Sequence, residues 1–193
     1  MVVATKNQGK IREIREVLST WACAVVPIQQ LAPNFRVEED GTTYADNAIK
    51  KAQAAASSTG SLALADDSGL EVRALNGAPG IYSARFGGVD LPQAEKNRLL
   101  LQRLVGVTDR QACFRCVLAV VSPQGRLETT EGTCEGFIST EPRGNGGFGF
   151  DPIFVVPAYQ KTMAELAPDI KNAISHRARA LQQLPTILQA FWA

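Results

Sequence analysis

The chain has 193 residues, 45% of them hydrophobic and 20% charged, with 20 basic side chains against 19 acidic ones. That length and composition describe an ordinary folded protein with a real core rather than a disordered chain. A formal charge of +1 argues against a nucleic-acid backbone as partner, because phosphate-backbone binding normally needs a clear basic excess.

No apolar run is long enough to cross a bilayer. The opening MVVATKNQGK lacks the charged-then-apolar order of a secretory leader, so cytoplasm is the expected compartment. Four cysteines (Cys23, Cys113, Cys116 and Cys134) do not make a disulfide framework in a chain of this size. Cys113 and Cys116 form a C-x-x-C within ACFRCVLAVV, but in a strand positions three apart point to opposite faces. With a single histidine and no second such pair, reduced thiols in a sheet are expected rather than a zinc or redox site.

In chain order, Met1 to Thr5 reads as a short strand. From Gly9 the apolar residues Ile11, Ile14, Val17 and Leu18 recur at helical spacing. ACAVVPI (22–28) is a second strand, and Pro33 to Gly41 is a polar loop carrying Glu38, Glu39 and Asp40. Tyr44 to Ser58 is an alanine-rich helix stopped by Gly60. LALA (62–65) is a third strand that ends on Asp66 and Asp67, with Glu71 to Ala74 a separate short strand and NGAPG a turn. Pro92 to Val105 is helical. Gln111 to Val121 and Arg126 to Ile138 are strands joined by the hairpin signal SPQGR. The loop EPRGNGGFGFDP leads into IFVVP, and helices are expected around Lys161 to Leu166 and over Ala173 to Ala190. Alternating elements, then paired strands, then helices predict an α/β fold with a mixed sheet and flanking helices. A second lobe built on the hairpin region, with a central cleft between the lobes, completes the expectation, within one structural unit over residues 1–193.

Four stretches carry chemistry. VVATKNQGKIRE runs from strand through a polar glycine loop into a helix, whose free N–H groups and dipole suit a phosphate. Lys6 and Lys10 add charge, and Thr5 and Asn7 add hydrogen bonds, although the spacing of a Walker A loop is absent. Asp66 and Asp67, with Glu38 and Glu39 in another loop, are hard oxygen donors that suit Mg²⁺ completed by substrate phosphates. The plainer alternative is a turn cap closed by Ser68-Gly69. GNGGFGFDPIF offers glycines for close backbone approach, with Phe148 or Phe150 to stack on a planar base or simply to anchor a loop. KNAISHRARAL places His176 beside Arg177, preceded by Lys171, with Ser175 a candidate cap.

ATKNQGKIREI, EED-G with ADNAIKKA, ADDSGLEV, GAPGIYSARF, GGFGFDPIF and ISHRARAL together resemble, in order and over nearly the whole chain, the inosine triphosphate pyrophosphatase family. The resemblance implies Mg²⁺-dependent cleavage of non-standard purine nucleoside triphosphates (ITP, dITP, XTP) to the monophosphate and pyrophosphate. It implies that Thr5, Lys6, Asn7, Gln8, Gly9 and Lys10 cradle the triphosphate with Lys51, and that Glu39 and Asp67 hold metal. Asp67 would also be the proton acceptor and Ser68 a neighbouring substrate contact. Phe148, Gly149, Phe150, Asp151, Lys171, His176 and Arg177 would form the base-recognition wall, with Arg85 a further contact and Lys6 standing where many members have a small residue. A homodimer is implied as well. The alternatives are a related pyrophosphatase of modified pyrimidine nucleotides and a nucleotide sensor without turnover.

Overall fold

The computed structural model describes residues 1–20 and 23–192. Among them seven strands form one mixed sheet: β1 (Val2–Val3), β2 (Val26–Pro27), β3 (Ala63–Val72), β4 (Gln111–Val121), β5 (Leu127–Ile138), β6 (Phe154–Val156) and β7 (Lys161–Thr162), in the order β2-β1-β3-β4-β5-β6-β7. β1 pairs in parallel with both β2 and β3, while β6 runs antiparallel to β5 and β7. This is the α/β fold with a mixed sheet and flanking helices expected from the sequence. Ala22, the first residue of the expected second strand, lies outside the described residues, and the strand found there is only Val26–Pro27.

The chain divides into two compact units. The first takes Met1–Asp67, Cys116–Gly132 and His176–Ala193, and the second takes Ser68–Arg115 and Thr133–Ser175. In the first, α1 (Gln8–Val17) begins where the Asn7 side chain accepts the Lys10 N–H at 3.1 Å, a cap that contributes about 1 kcal/mol. A four-residue helix, α2 (Ile28–Leu31), follows β2. α3 (Tyr44–Thr59) starts with a reciprocal Thr43–Asp46 capping box and stops at Gly60 in the left-handed conformation. Ala48, Ala52, Ala55 and Ala56 are buried, and side chains this small let the helix lie close on β1. Val3, Ile14, Leu18, Leu64, Leu118, Val120, Leu181 and Leu184 form the core of this unit.

In the second unit α4 (Gln93–Arg103) packs Leu100 and the following Leu104 into a core with Leu70, Phe86, Phe114, Ile138, Phe150 and Phe154. The expected helix at Lys161 to Leu166 is instead β7 followed by a single 3-10 turn, Met163–Glu165. The expected helix over Ala173 to Ala190 is three helices: α5 (Pro168–Ile174), α6 (His176–Leu181) and α7 (Leu184–Trp192). Ser175, extended at φ −64 and ψ 155, ends α5.

The main departure concerns the aspartates. β3 does not end at Asp66. It continues through Asp67, Ser68 and Gly69 to Val72, absorbing the separate strand expected from Glu71. A carboxylate inside a buried strand is costly only while unpaired, and both of these are paired.

Candidate active site

Neighbouring residues of a strand point to opposite faces, and β3 uses this to send its two aspartates to different partners. Asp66, 1% exposed, meets residues of α1, α6 and β4. Lys10 Nζ pairs with its Oδ1, Arg177 Nε donates to Oδ2 at 2.6 Å, and the Cys116 thiol donates to Oδ2 at 3.3 Å. Arg177 Nη1 pairs in turn with Glu13, one turn along α1 from Lys10. Burial alone would push the Asp66 pKa up, but Arg177 and Lys10 outweigh it and hold the carboxyl well below its ordinary range. The same burial, with the Asp66 charge beside it, pushes the Cys116 thiol well up, so it stays protonated and donates.

Asp67 turns to α3. Lys51 Nζ donates to its Oδ1 at 3.0 Å, and Asn47 Nδ2 donates to Oδ2 at 3.4 Å. The same ammonium reaches Glu39 Oε1 at 3.3 Å and the Asp66 carbonyl at 2.9 Å. Burial works against the Lys51 charge, yet Asp67, Glu39 and Asp66 together raise its pKa. At Asp67 the balance goes the other way: burial raises the pKa, Lys51 and Lys10 oppose it, and the Glu39 charge adds to the rise. The result is a carboxylate with an enhanced tendency to take a proton.

Glu39 reaches this cluster because the loop carrying it lies hard against the start of α3. Gly41 donates its N–H to Asn47 Oδ1 at 2.9 Å. A Cβ at Gly41 would stand 2.6 Å from the Asp46 Cβ, so any larger residue would push the loop away. Asn47 thus serves both the loop and Asp67. The adjacent Lys50 ties the same loop through Asp40 at 2.5 Å.

At the N-terminus of α1, Thr5 Oγ1 accepts the Asn7 N–H at 3.1 Å, and Asn7 Oδ1 accepts from Lys10. Those two side chains shape the loop, whereas Lys6 and Gln8 are exposed and Gly9 half-buried. Lys10 lies close enough to Asp67 to lower its pKa. A positive helix end and two lysines therefore stand with two carboxylates in one cluster. Among the described residues no group of three or more histidine, cysteine, aspartate or glutamate side chains converges as a metal cage. Glu39 and Asp67 supply two oxygen donors, the number a Mg²⁺ ion shared with phosphates ordinarily takes from protein.

Most of the other candidates lie in the second unit, whereas His176 and Arg177 belong to the first. Asp151 Oδ2 accepts the Phe148 N–H at 2.8 Å and pairs with Lys171 Nζ at 2.5 Å, while that ammonium also lies 4.9 Å from the centre of the Phe148 ring. Gly147, at φ +70, makes this possible, since a Cβ there would fall 2.0 Å from Asp151 Oδ2. Arg85 stacks over Tyr82 at 4.8 Å, and Ser68 is half-buried just beyond Asp67.

Two expectations change. Phe150 is 4% exposed and meets Phe86 edge-on at 6.2 Å, so it anchors the loop in the core and only the half-buried Phe148 ring remains for stacking. Arg177 is 2% exposed with Nε and Nη1 committed to Asp66 and Glu13. Its guanidinium binds carboxylates, and the neighbouring His176 is buried as well. Sequence reasoning missed the roles of Glu13, Asn47 and Cys116. None carried a local signal, because Glu13 meets Arg177 164 residues on, Asn47 meets Asp67 20 residues on, and Cys116 meets Asp66 50 residues back.

A sequence profile of the Ham1 family matches residues 1–187. A dITP/XTP pyrophosphatase of Desulforamulus reducens is 53% identical over 194 aligned residues, covering 100% of this chain and 96% of that relative. A dITP/XTP pyrophosphatase of Bacillus subtilis is 44% identical, covering 98% and 96%. Among solved structures, a HAM1 protein from Coxiella burnetii matches with a TM-score of 0.89 at 44% identity, covering 98% of each chain. The Staphylococcus aureus Ham1 protein matches at 0.87 and 43%, covering 98% and 97%. The agreement in sequence and fold extends over nearly the whole chain, which therefore belongs to the Ham1 family.

Proposed function

We propose that the chain hydrolyses non-standard purine nucleoside triphosphates (dITP, ITP and XTP) to the monophosphate and pyrophosphate, removing them from the nucleotide pool. The observation that carries this reading is the meeting of Asp67 and Glu39 at Lys51, with Lys10 close by. A triphosphate brings about four negative charges, which a cluster of lysines and a helix N-terminus can offset.

In this reading Lys10, Lys51 and the α1 end bind and orient the phosphates. Asp67 holds the attacking water through one carboxylate oxygen and accepts its proton as oxygen adds to phosphorus, while the bond between the α- and β-phosphates breaks and pyrophosphate leaves. Asn47 and Lys51 fix the carboxylate for that transfer, a general-base contribution of about 10²–10⁴-fold. Glu39 and Asp67 would hold Mg²⁺, which when bound neutralises phosphate charge and favours departure of the leaving group. The purine would lie against Phe148, with Lys171 favouring the oxygen at C6 over the amino group of adenine, since a mismatched buried polar group discriminates strongly. We take residues 1–193 to act as one pyrophosphatase domain, a cytoplasmic homodimer without a nucleic-acid partner.

Release of pyrophosphate and orthophosphate from dITP, ITP, XTP, GTP and ATP, with Mg²⁺ and with EDTA, tests the reading. Metal-dependent pyrophosphate release from the first three, with little from GTP and ATP, is expected. Orthophosphate release would place the cleavage at an outer phosphate. Tight binding of dITP without turnover would favour a sensor.

A further inference from the structure

Two consecutive side chains of α4 are buried although neither is apolar. Lys96 and Asn97 are 5% and 4% exposed. Lys96 Nζ donates to the Ala84 carbonyl at 2.5 Å, and Asn97 Nδ2 donates to the Gly149 carbonyl at 3.2 Å. One turn earlier, Gln93 Nε2 donates to Asn97 Oδ1 at 2.9 Å, which directs the amide nitrogen toward Gly149. A buried amide that meets a backbone carbonyl of a loop holds that peptide in one orientation, because losing the contact leaves both polar groups short of a partner.

The carbonyl in question sits at the turning point of the glycine-rich loop. Gly149 has φ +62, a left-handed conformation that favours glycine, and open space where a Cβ would be. On one side Phe150 is anchored in the core against Phe86. On the other, Phe148 donates to Asp151 Oδ2, and its ring faces Lys171. The Gly149 carbonyl belongs to the peptide that joins Gly149 to the anchored Phe150, so Asn97 fixes the link between that anchor and the Phe148 side of the loop.

We infer that Asn97 is a positioning residue for base selection: through the Gly149 carbonyl it fixes the loop segment from which the Phe148 ring and the Asp151 carboxylate project. It acts without touching the nucleotide. The inference rests on the proposed purine-facing role of Phe148 and Asp151.

The test is steady-state pyrophosphate release from dITP and dATP by the full chain and by Asn97→Asp, which keeps the shape and removes the donor, and Asn97→Ala. KM for dITP should rise about tenfold with kcat near the parent value, and the dITP-over-dATP ratio of kcat/KM should fall about tenfold, as for loss of polar recognition. Leu100→Val thins the core packing of the same helix and should lower the melting temperature without moving the ratio. Gln93→Leu, at a half-buried position, releases the Asn97 amide and should move the ratio in the same direction by about threefold. This variant decides the matter if the Asn97 variants do not fold. An unchanged ratio in folded Asn97 variants, or in Gln93→Leu if those do not fold, would overturn the inference, as would an equal shift in Leu100→Val. If the parent itself releases no pyrophosphate from dITP, the proposed function falls first, and the inference with it.

Discussion

Asp66 and Asp67 are the same residue type, adjacent on one strand and almost equally buried, yet their surroundings drive them in opposite directions. Asp66 receives a lysine, an arginine and a thiol, and its pKa is held down. Asp67 shares a single lysine with Glu39, and its pKa is pushed up. The first is a fully compensated charge, suited to holding α1, α6 and β4 to β3. The second is under-compensated, which supports the proposed role of a group that attracts a metal or a proton. A strand's alternation is enough to give adjacent carboxylates opposite electrostatic surroundings without a break in the chain.

The comparison is broken most directly at Asp67. Asp67→Asn should lower kcat for dITP about 10³-fold, the scale of a lost general base. Its melting temperature should stay close to the parent's, because asparagine can still accept from Lys51 and sheds a poorly compensated charge. Retained turnover would remove Asp67 from the chemistry. A melting temperature as low as that of an Asp66 variant would erase the distinction between the two aspartates.

Asp66→Asn should reverse the pattern. Taking one partner from a buried ion network leaves Lys10 and Arg177 under-neutralised, at a cost of about 3–5 kcal/mol. In a chain of this size that corresponds to a melting temperature lower by about 6–20 °C. Thermal unfolding checks the first effect, and dITP turnover well below the transition checks the second. If Asp66→Asn unfolds at the parent temperature but loses turnover as completely as Asp67→Asn, then Asp66 belongs to the chemistry. Lys10→Ala lies between the two, since Lys10 pairs with Asp66 and also acts on Asp67. It should raise KM for dITP about tenfold, the usual scale of a lost charged contact, and an unchanged KM would count against the phosphate cradle.

How far the sequence reveals this follows from the range of each interaction. α3 was legible nearly to the residue because its signals are local: an alanine-rich run and a stop at Gly60. β4 and β5 were legible from β-rich runs separated by a turn. The candidate residues Lys10, Glu39, Lys51 and Asp67 were legible as a family pattern, and the structure brings them together. The continuation of β3 past Asp66 was not, because two adjacent charges read locally as an exit from the core. The groups that let the strand continue stand 56 and 111 residues away, at Lys10 and Arg177. Likewise nothing near Phe150 says that it is core and Phe148 is not, and nothing near Asn97 names a carbonyl 52 residues on.

The smallest effect is expected at Cys116, and it sharpens the comparison because it touches Asp66 alone of the two. The thiol is a weak donor, and Lys10 and Arg177 remain when it is lost, so Asp66 keeps its two strong partners. Cys116→Val is close in volume, fills the site with apolar surface and removes the donor. It should cost about 1 kcal/mol, the usual worth of one hydrogen bond. Cys116→Ser restores a donor and should recover part of that loss. Neither change should alter kcat for dITP, because the residue acts on the compensated carboxylate and its effect ends there. A fall in kcat in Cys116→Val, relieved in Cys116→Ser, would mean that the hold on Asp66 is transmitted along the strand to Asp67. The two aspartates would then be one coupled device rather than two separate ones.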